Sequence, residues 1–179
     1  MINRCRSLFL LGLMLMFSLA ATSFVRAQSA KASNWRVTSE EELRSVIPAR
    51  APVVAEHIET EFRTASGITD GRGRFVAGVV LITAGYSAEG KYSHYLLTQV
   101  PMKMGSLTLP PGQYVFGWTR KDETLTVHFY DAATGRELGH TEATRNPTIT
   151  RVESFRIWPP SDKAVIQLGR FTFQYSVAE

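Results

Sequence analysis

The sequence predicts an all-β fold, an antiparallel β-sandwich of about nine or ten short strands with one short N-terminal helix. A closed β-barrel is the alternative arrangement of the same strands. Three observations carry this expectation. From His57 onward, apolar residues recur at every second position rather than every third or fourth. Turn-forming stretches such as "DGRG", "SAEG" and "DAATG" interrupt the chain, with the spacing of about 8–12 residues typical of short-strand folds. No repeat period emerges, and no G-x-G-x-x-G opens a helix.

The first 27 residues are set apart from that fold. Arg4 and Arg6 precede the apolar run Leu8 to Ala21, and Val25-Arg26-Ala27 carries suitable side chains at the two positions that signal peptidase reads. Residues 1–27 are therefore expected to be a signal peptide removed before Gln28, which makes the protein periplasmic or extracellular. The apolar run is shorter than the roughly 20 residues that cross a bilayer, so no stable membrane span is expected after cleavage. Cys5, the only cysteine, lies upstream of the cleavage site and cannot carry a lipid anchor there.

Removing this segment leaves 152 residues with 17 basic and 16 acidic side chains, a net charge of +1. The sequence pI of 9.4 is thus inflated by Arg4, Arg6 and Arg26. No clustered positive footprint remains to neutralise phosphates, which argues against nucleic acid as a partner. A chain of this size buries roughly 68–70% of its unfolded surface, enough for one domain without disulfides. The expected organisation is a flexible leader over 28–38 and a single domain over 39–179.

That domain opens with a helix over 39–47. Ser39 and Glu42 have capping-box spacing, Glu40 to Glu42 favour the positive helix start, and Leu43, Val46 and Ile47 form one apolar stripe before Pro48. "HIETEFRTA" then alternates as a half-buried strand. "FVAGVVLITA" is apolar throughout, as in a strand covered on both faces. "SHYLLTQV", "TLTVHFY", "RELGHTEAT", "VESFRIW", "AVIQL" and "RFTFQYS" supply further strands. Asp131 and Gly135 bound a hairpin loop between the second and third of these.

The corner "TLPPGQYVFGW" is unusual. Pro110 and Pro111 cannot donate to a sheet ladder, so the corner is expected at an edge or rim. Pro111 and Gly112 suit a type II turn with positive φ at the glycine. Tyr114, Phe116 and Trp118 then share one face opposite Leu125, Val127 and Phe129, a row best explained as core. The stretch Leu107 to Trp118, with its L-P-P-G-x-Y, resembles secreted prealbumin-like sandwiches such as Cna-B-type and carboxypeptidase-regulatory-like domains, and certain bacterial periplasmic domains of unknown function. The resemblance implies a sandwich fold, an exported location and a non-catalytic accessory role. The lysine–asparagine cross-link of the Cna-B type is not carried over, because "RFTFQYSV" contains no asparagine.

Catalytic and metal signatures are sparse. His57, His94, His128 and His140 show no H-x-H or H-E-x-x-H spacing, so neither a metal nor another cofactor is expected. His57 with Glu59 reads as a surface ion pair, and His128 as a solvent-facing residue. "GYSAEG" lacks the glycine that a nucleophile elbow needs two residues after Ser87. "YSAEGKYSHY" gathers Tyr86, Tyr92, His94 and Tyr95 in a loop-rich segment, where tyrosines offer flat faces with a hydroxyl handle. These four are the candidate ligand-binding residues, for a protein or carbohydrate partner. Strand alternation prevents all of them from converging.

The expected function is that of an exported, non-catalytic binding or accessory module. One alternative is a lipocalin-like barrel carrying a small molecule, which a cavity of several hundred cubic ångströms would favour. The other is a hydrolase, which a Ser–His–acid cluster would favour.

Overall fold

The computed structural model describes residues 34–178, so the expected signal peptide and the first residues of the leader lie outside the described residues. The chain runs β1 (Arg36–Val37), α1 (Glu40–Val46), β2 (Arg50–Val53), β3 (Glu56–Thr69), β4 (Phe75–Leu81), β5 (His94–Thr98), β6 (Met102–Met104), β7 (Leu107–Leu109) and β8 (Gly112–Lys121). It continues through β9 (Thr124–Asp131), β10 (Glu137–Arg145), β11 (Glu153–Ile157), β12 (Val165–Gly169), β13 (Phe171–Gln174) and β14 (Ser176–Val177). Among the described residues no helix is long and apolar enough to cross a membrane.

The expected all-β fold is present, as one large antiparallel sheet in the order β1-β3-β4-β5-β8-β9-β10-β13-β12-β11. The sheet curls until it is nearly a barrel, because each strand is twisted against the last and the rotation accumulates. β11 comes to pack against β3, and the Ile157 N–H donates to Ser66 Oγ at 3.0 Å across the seam. β3 bends there: its register with β4 shifts between Glu61 and Ser66, as a bulge does when it re-aims a strand.

Two apolar clusters follow from this curvature. Inside the curl, Phe116, Phe129, Leu96, Ile68, Val127, Ile157 and Ile166 are fully buried, each large side chain contributing roughly 1.5–3 kcal/mol. Outside β3, β4, β5 and β8 lies a second cluster with Leu43, Ile47, Ile58, Val79, Tyr95 and Val115. α1 and β2 supply its cover. This is why Phe75 to Leu81 are apolar at every position: β4 is covered on both faces.

α1 has the expected capping box. Glu42 N–H donates to Ser39 Oγ at 3.2 Å, and Ser39 N–H to Glu42 Oε2 at 2.8 Å. Ile47 ends it in extended geometry, as the residue before Pro48 must. The fold begins earlier than expected, however. Trp35 is only 3% exposed and Arg36–Val37 pair with β3, so residues 34–38 belong to the domain rather than to a flexible leader. An indole removes too much apolar surface from water to stay outside the core.

A second, three-stranded sheet, β14-β6-β7, places Met102, Met104 and Leu109 in the inner cluster. It connects to the C-terminal ends of β5 and β13 and the N-terminal end of β8. In an antiparallel barrel these ends share one rim, and that rim is plugged.

The proline corner joins β7 to β8 at this rim, but its expected turn is corrected. Gly112 is not among the glycines with positive φ and is instead the first residue of β8. Its reason is a close approach: a Cβ there would stand 2.9 Å from the Tyr114 hydroxyl. That hydroxyl reaches back over the glycine and donates to the Pro110 carbonyl at 2.5 Å, the geometry of a tyrosine corner. The L-P-P-G-x-Y stretch is therefore a strand corner locked by its own tyrosine. Tyr114→Phe keeps the ring and removes the bond, so a loss of about 1–2 kcal/mol is expected in chemical denaturation; an unchanged midpoint would mean the corner holds itself.

Candidate functional site

The opposite rim is open. It is formed by the C-terminal ends of β4, β8, β10 and β12 and the N-terminal ends of β5, β9, β11 and β13, and it surrounds a cavity of about 720 Å³. Val80, Trp118, Leu125, Val152, Leu168 and Phe171 give it apolar walls. Arg120, Arg145 and Arg170 stand at the mouth and are exposed. Arg145 is paired with Glu123 at 3.1 Å, whereas Arg120 and Arg170 have no acidic partner among the described residues. Glu153, also lining the cavity, is already held by Arg151 and Arg156. The mouth therefore carries uncompensated positive charge.

His94 lies where the cavity meets the core. It is 2% exposed, stacks on Phe116 with ring centroids 4.7 Å apart and 12° between planes, and touches Trp118 and Phe155 at 5.2 and 5.3 Å. Burial drives its pKa down from 6.5 to about 3, against a weak opposing pull from the Ser154 backbone carbonyl, with which no hydrogen bond of good distance and angle forms. The imidazole is thus neutral at physiological pH. Its Nδ1 lies 3.0 Å from Ser93 Oγ, a contact that either imidazole tautomer makes, and the Ser93 hydroxyl also has the Phe116 carbonyl within reach at 3.2 Å. Nε2 is left without a hydrogen-bond partner.

That Nε2 is the one buried side-chain nitrogen or oxygen among the described residues with no hydrogen-bond partner. Gln167 shows what the fold does elsewhere. Equally buried, it donates to the Arg151 and Gly169 carbonyls and accepts from the Trp158 indole. An unmatched buried polar atom costs about 1–3 kcal/mol, and such a cost on a residue lining a cavity marks a place for a ligand group.

The four candidate ligand-binding residues separate. His94 faces the inner side and the cavity, while Tyr92 and Tyr95, 5% and 2% exposed, belong to the outer cluster. Tyr86 packs beside that cluster and donates through its hydroxyl to Glu59. The division follows from β5 beginning at His94: only from there does alternation hold, so Tyr92 and Tyr95 fall on the same side. Tyr86 ties the loop after β4 to β3 and β2, and Tyr92 packs edge-to-face on Tyr130 of β9.

Other expectations resolve similarly. Glu59 pairs with Arg50 at 3.2 Å rather than with His57. Ser87 donates to Glu56 at 2.6 Å within a turn between strands. Trp118, expected in the core row with Tyr114 and Phe116, is 40% exposed at the cavity mouth. β8 runs outward past the core, and its later residues emerge at the rim. Alternation had placed Trp118 on the correct face but could not show where along the barrel that face opens. Neither the arginines nor the cavity had a sequence signature, because eight strands contribute to them.

Comparison with family models, with curated proteins and with solved structures gives no significant match. The reading of the site rests on its geometry.

Proposed function

We propose that this protein is an exported, non-catalytic binding protein whose barrel holds a small amphipathic ligand in the open end. The observation that carries the reading is an apolar cavity of about 720 Å³ lined in part by His94, whose buried Nε2 has no hydrogen-bond partner. Ligand sites are mostly apolar concavities with a few polar groups that fix orientation. The chemistry follows from those groups. The apolar walls take a hydrocarbon or ring body, Arg120 and Arg170 favour an anionic group at the mouth, and Nε2 calls for a hydrogen-bonding group, such as a hydroxyl, at the inner end. Nε2 has no solvent contact of its own, so Trp118, exposed and against the His94 ring, is the side chain that yields when the ligand enters.

Several features favour binding over hydrolysis. The Ser93 proton has the Phe116 carbonyl within reach at 3.2 Å. A base with a pKa near 3 is too weak to take it, and among the described residues no carboxylate hydrogen-bonds the His94 ring. The apolar leader with its cleavage site supports a periplasmic or extracellular address.

The test is a titration with anilinonaphthalene sulfonate, an apolar anion, followed by probe emission and tryptophan quenching. Saturable one-to-one binding is expected, weakened about tenfold in Arg170→Ala, which corresponds to roughly 1.4 kcal/mol. Binding that ignores both Arg170→Ala and Trp118→Ala would place the probe elsewhere and remove the reading.

A further inference from the structure

A hairpin on the outside of the barrel presents a second constellation, unrelated to the cavity. Alternation along β9 turns Leu125, Val127 and Phe129 into the core and His128 outward. In the antiparallel ladder His140 of β10 stands directly opposite His128. The two rings are 5.7 Å apart between centroids.

The third member arrives through an irregularity. A regular ladder would set residue 138 opposite Tyr130 and turn residue 137 inward. Instead the register shifts between Glu137 and Gly139, so that Glu137 opposes Tyr130. Leu138 packs against the inner cluster, and Glu137 comes out on the face that carries His128 and His140. Its Oε1 lies 2.9 Å from His128 Nδ1. One ligand atom from each of the three residues lies within 4.8 Å of the other two. Bulges commonly re-aim a side chain in this way.

We propose that His128, Glu137 and His140 form a binding site for a divalent late first-row transition metal such as Zn²⁺ or Cu²⁺. Two imidazoles and one carboxylate suit these ions, whereas Mg²⁺ and Ca²⁺ require a shell of oxygen ligands. Ligand atoms around a tetrahedral ion with bonds of about 2.0–2.1 Å stand roughly 3.3 Å apart. The three atoms must therefore close by about 1.5 Å at most. Glu137 and His140 are exposed and His128 is half-buried, so side-chain rotation achieves this without moving the strands. Three protein ligands leave one position for water. The bound ion ties β9 to β10 across the bulge where their ladder is interrupted, and stabilises the folded state by mass action.

The untagged protein, stripped with EDTA and dialysed, is titrated with ZnCl₂ and CuCl₂ by calorimetry. One site in the micromolar range is expected, tighter for Cu²⁺ than for Zn²⁺, with no heat from MgCl₂ or CaCl₂. His140→Ala, at an exposed position, leaves metal-free melting unchanged and weakens Zn²⁺ binding about tenfold or more. Glu137→Gln weakens it in the same direction, and His57→Ala, an exposed histidine outside the cluster, leaves it intact. Absence of Zn²⁺ binding overturns the proposal, as does wild-type affinity in His140→Ala. Because the site is outside the cavity, neither result depends on the ligand titration.

Discussion

Between pH 6.5 and pH 4.5 the wild-type protein should lose stability steeply, while His94→Phe should hold a nearly flat stability over the same range. His94 has its pKa lowered by burial to about 3 in the folded chain, against an ordinary value of 6.5. Above pH 6.5 the ring is neutral in both states and its contribution is fully present. As the pH falls toward 3, the unfolded state takes up a proton that the folded state refuses, so unfolding is favoured progressively. Over the whole window the loss is on the order of 5 kcal/mol, a large part of the 5–15 kcal/mol available to an ordinary domain. Asp70 acts in the same direction but lower. Burial alone would raise its pKa, yet bonds from the Arg72 and Arg74 N–H groups and from the Arg74 guanidinium outweigh that and bring it below 3.8. A phenyl ring keeps the stack on Phe116 and Phe155 and removes the unpartnered nitrogen, so the variant should be at least as stable as wild type at neutral pH. It should also bind a ligand that hydrogen-bonds Nε2 more weakly. Urea midpoints measured every half unit of pH decide the matter, and parallel slopes in the two proteins would show that His94 is not held neutral by burial.

Gly117→Ala should lower the melting temperature by about 6–12 °C, corresponding to about 3 kcal/mol. A Cβ at this position would stand 2.2 Å from the Lys91 carbonyl oxygen and 3.1 Å from its carbon. Both are backbone atoms, so no side-chain rotation relieves the clash. The segment that must move is fastened by Tyr92 N–H to the Ala88 carbonyl at 3.0 Å, Ser93 N–H to the Phe116 carbonyl at 2.9 Å, and Leu81 N–H to the Ser93 carbonyl at 2.9 Å. Ser93 in turn contacts His94 Nδ1 at 3.0 Å. The substitution should therefore weaken probe binding as well as stability in the protein that remains folded at 25 °C. Thr119→Ala, two residues along the same strand and exposed, should change melting little. Differential scanning calorimetry distinguishes the outcomes, and a melting temperature within about 2 °C of wild type for Gly117→Ala would mean the loop before β5 is far softer than its hydrogen bonds imply.

Much of the architecture was legible because local chemistry specifies it. The capping box at Ser39 and Glu42, the stop at Pro48 and the two-residue period of β9 each depend on neighbours within a few positions. The doubly buried β4 also followed from composition alone, since only a strand covered on both faces tolerates an unbroken apolar run. The tyrosine corner was half visible. Its residues stood out, but the reason for Gly112 was mistaken, because a turn propensity and a close approach to Tyr114 select the same amino acid.

The candidate site was largely hidden. His94 was singled out for its tyrosine neighbours, which the barrel wall then divides from it. The arginines at the mouth come from β8, β10 and the turn between β12 and β13, separated by up to 50 positions of chain, and the bulge that turns Glu137 outward has no distinctive motif.

By itself the amino-acid sequence determined the all-β class, the helix and its cap, and which residues of each strand lie together on a face. Tertiary structure alone decided that the strands close into a near-barrel, that one rim is plugged and the other open, and that a neutral histidine waits at the open end. The physical reason is that a face is set by adjacent residues, whereas curvature, closure and cavities are sums of small twists over the whole sheet, to which every strand contributes and no short segment is decisive.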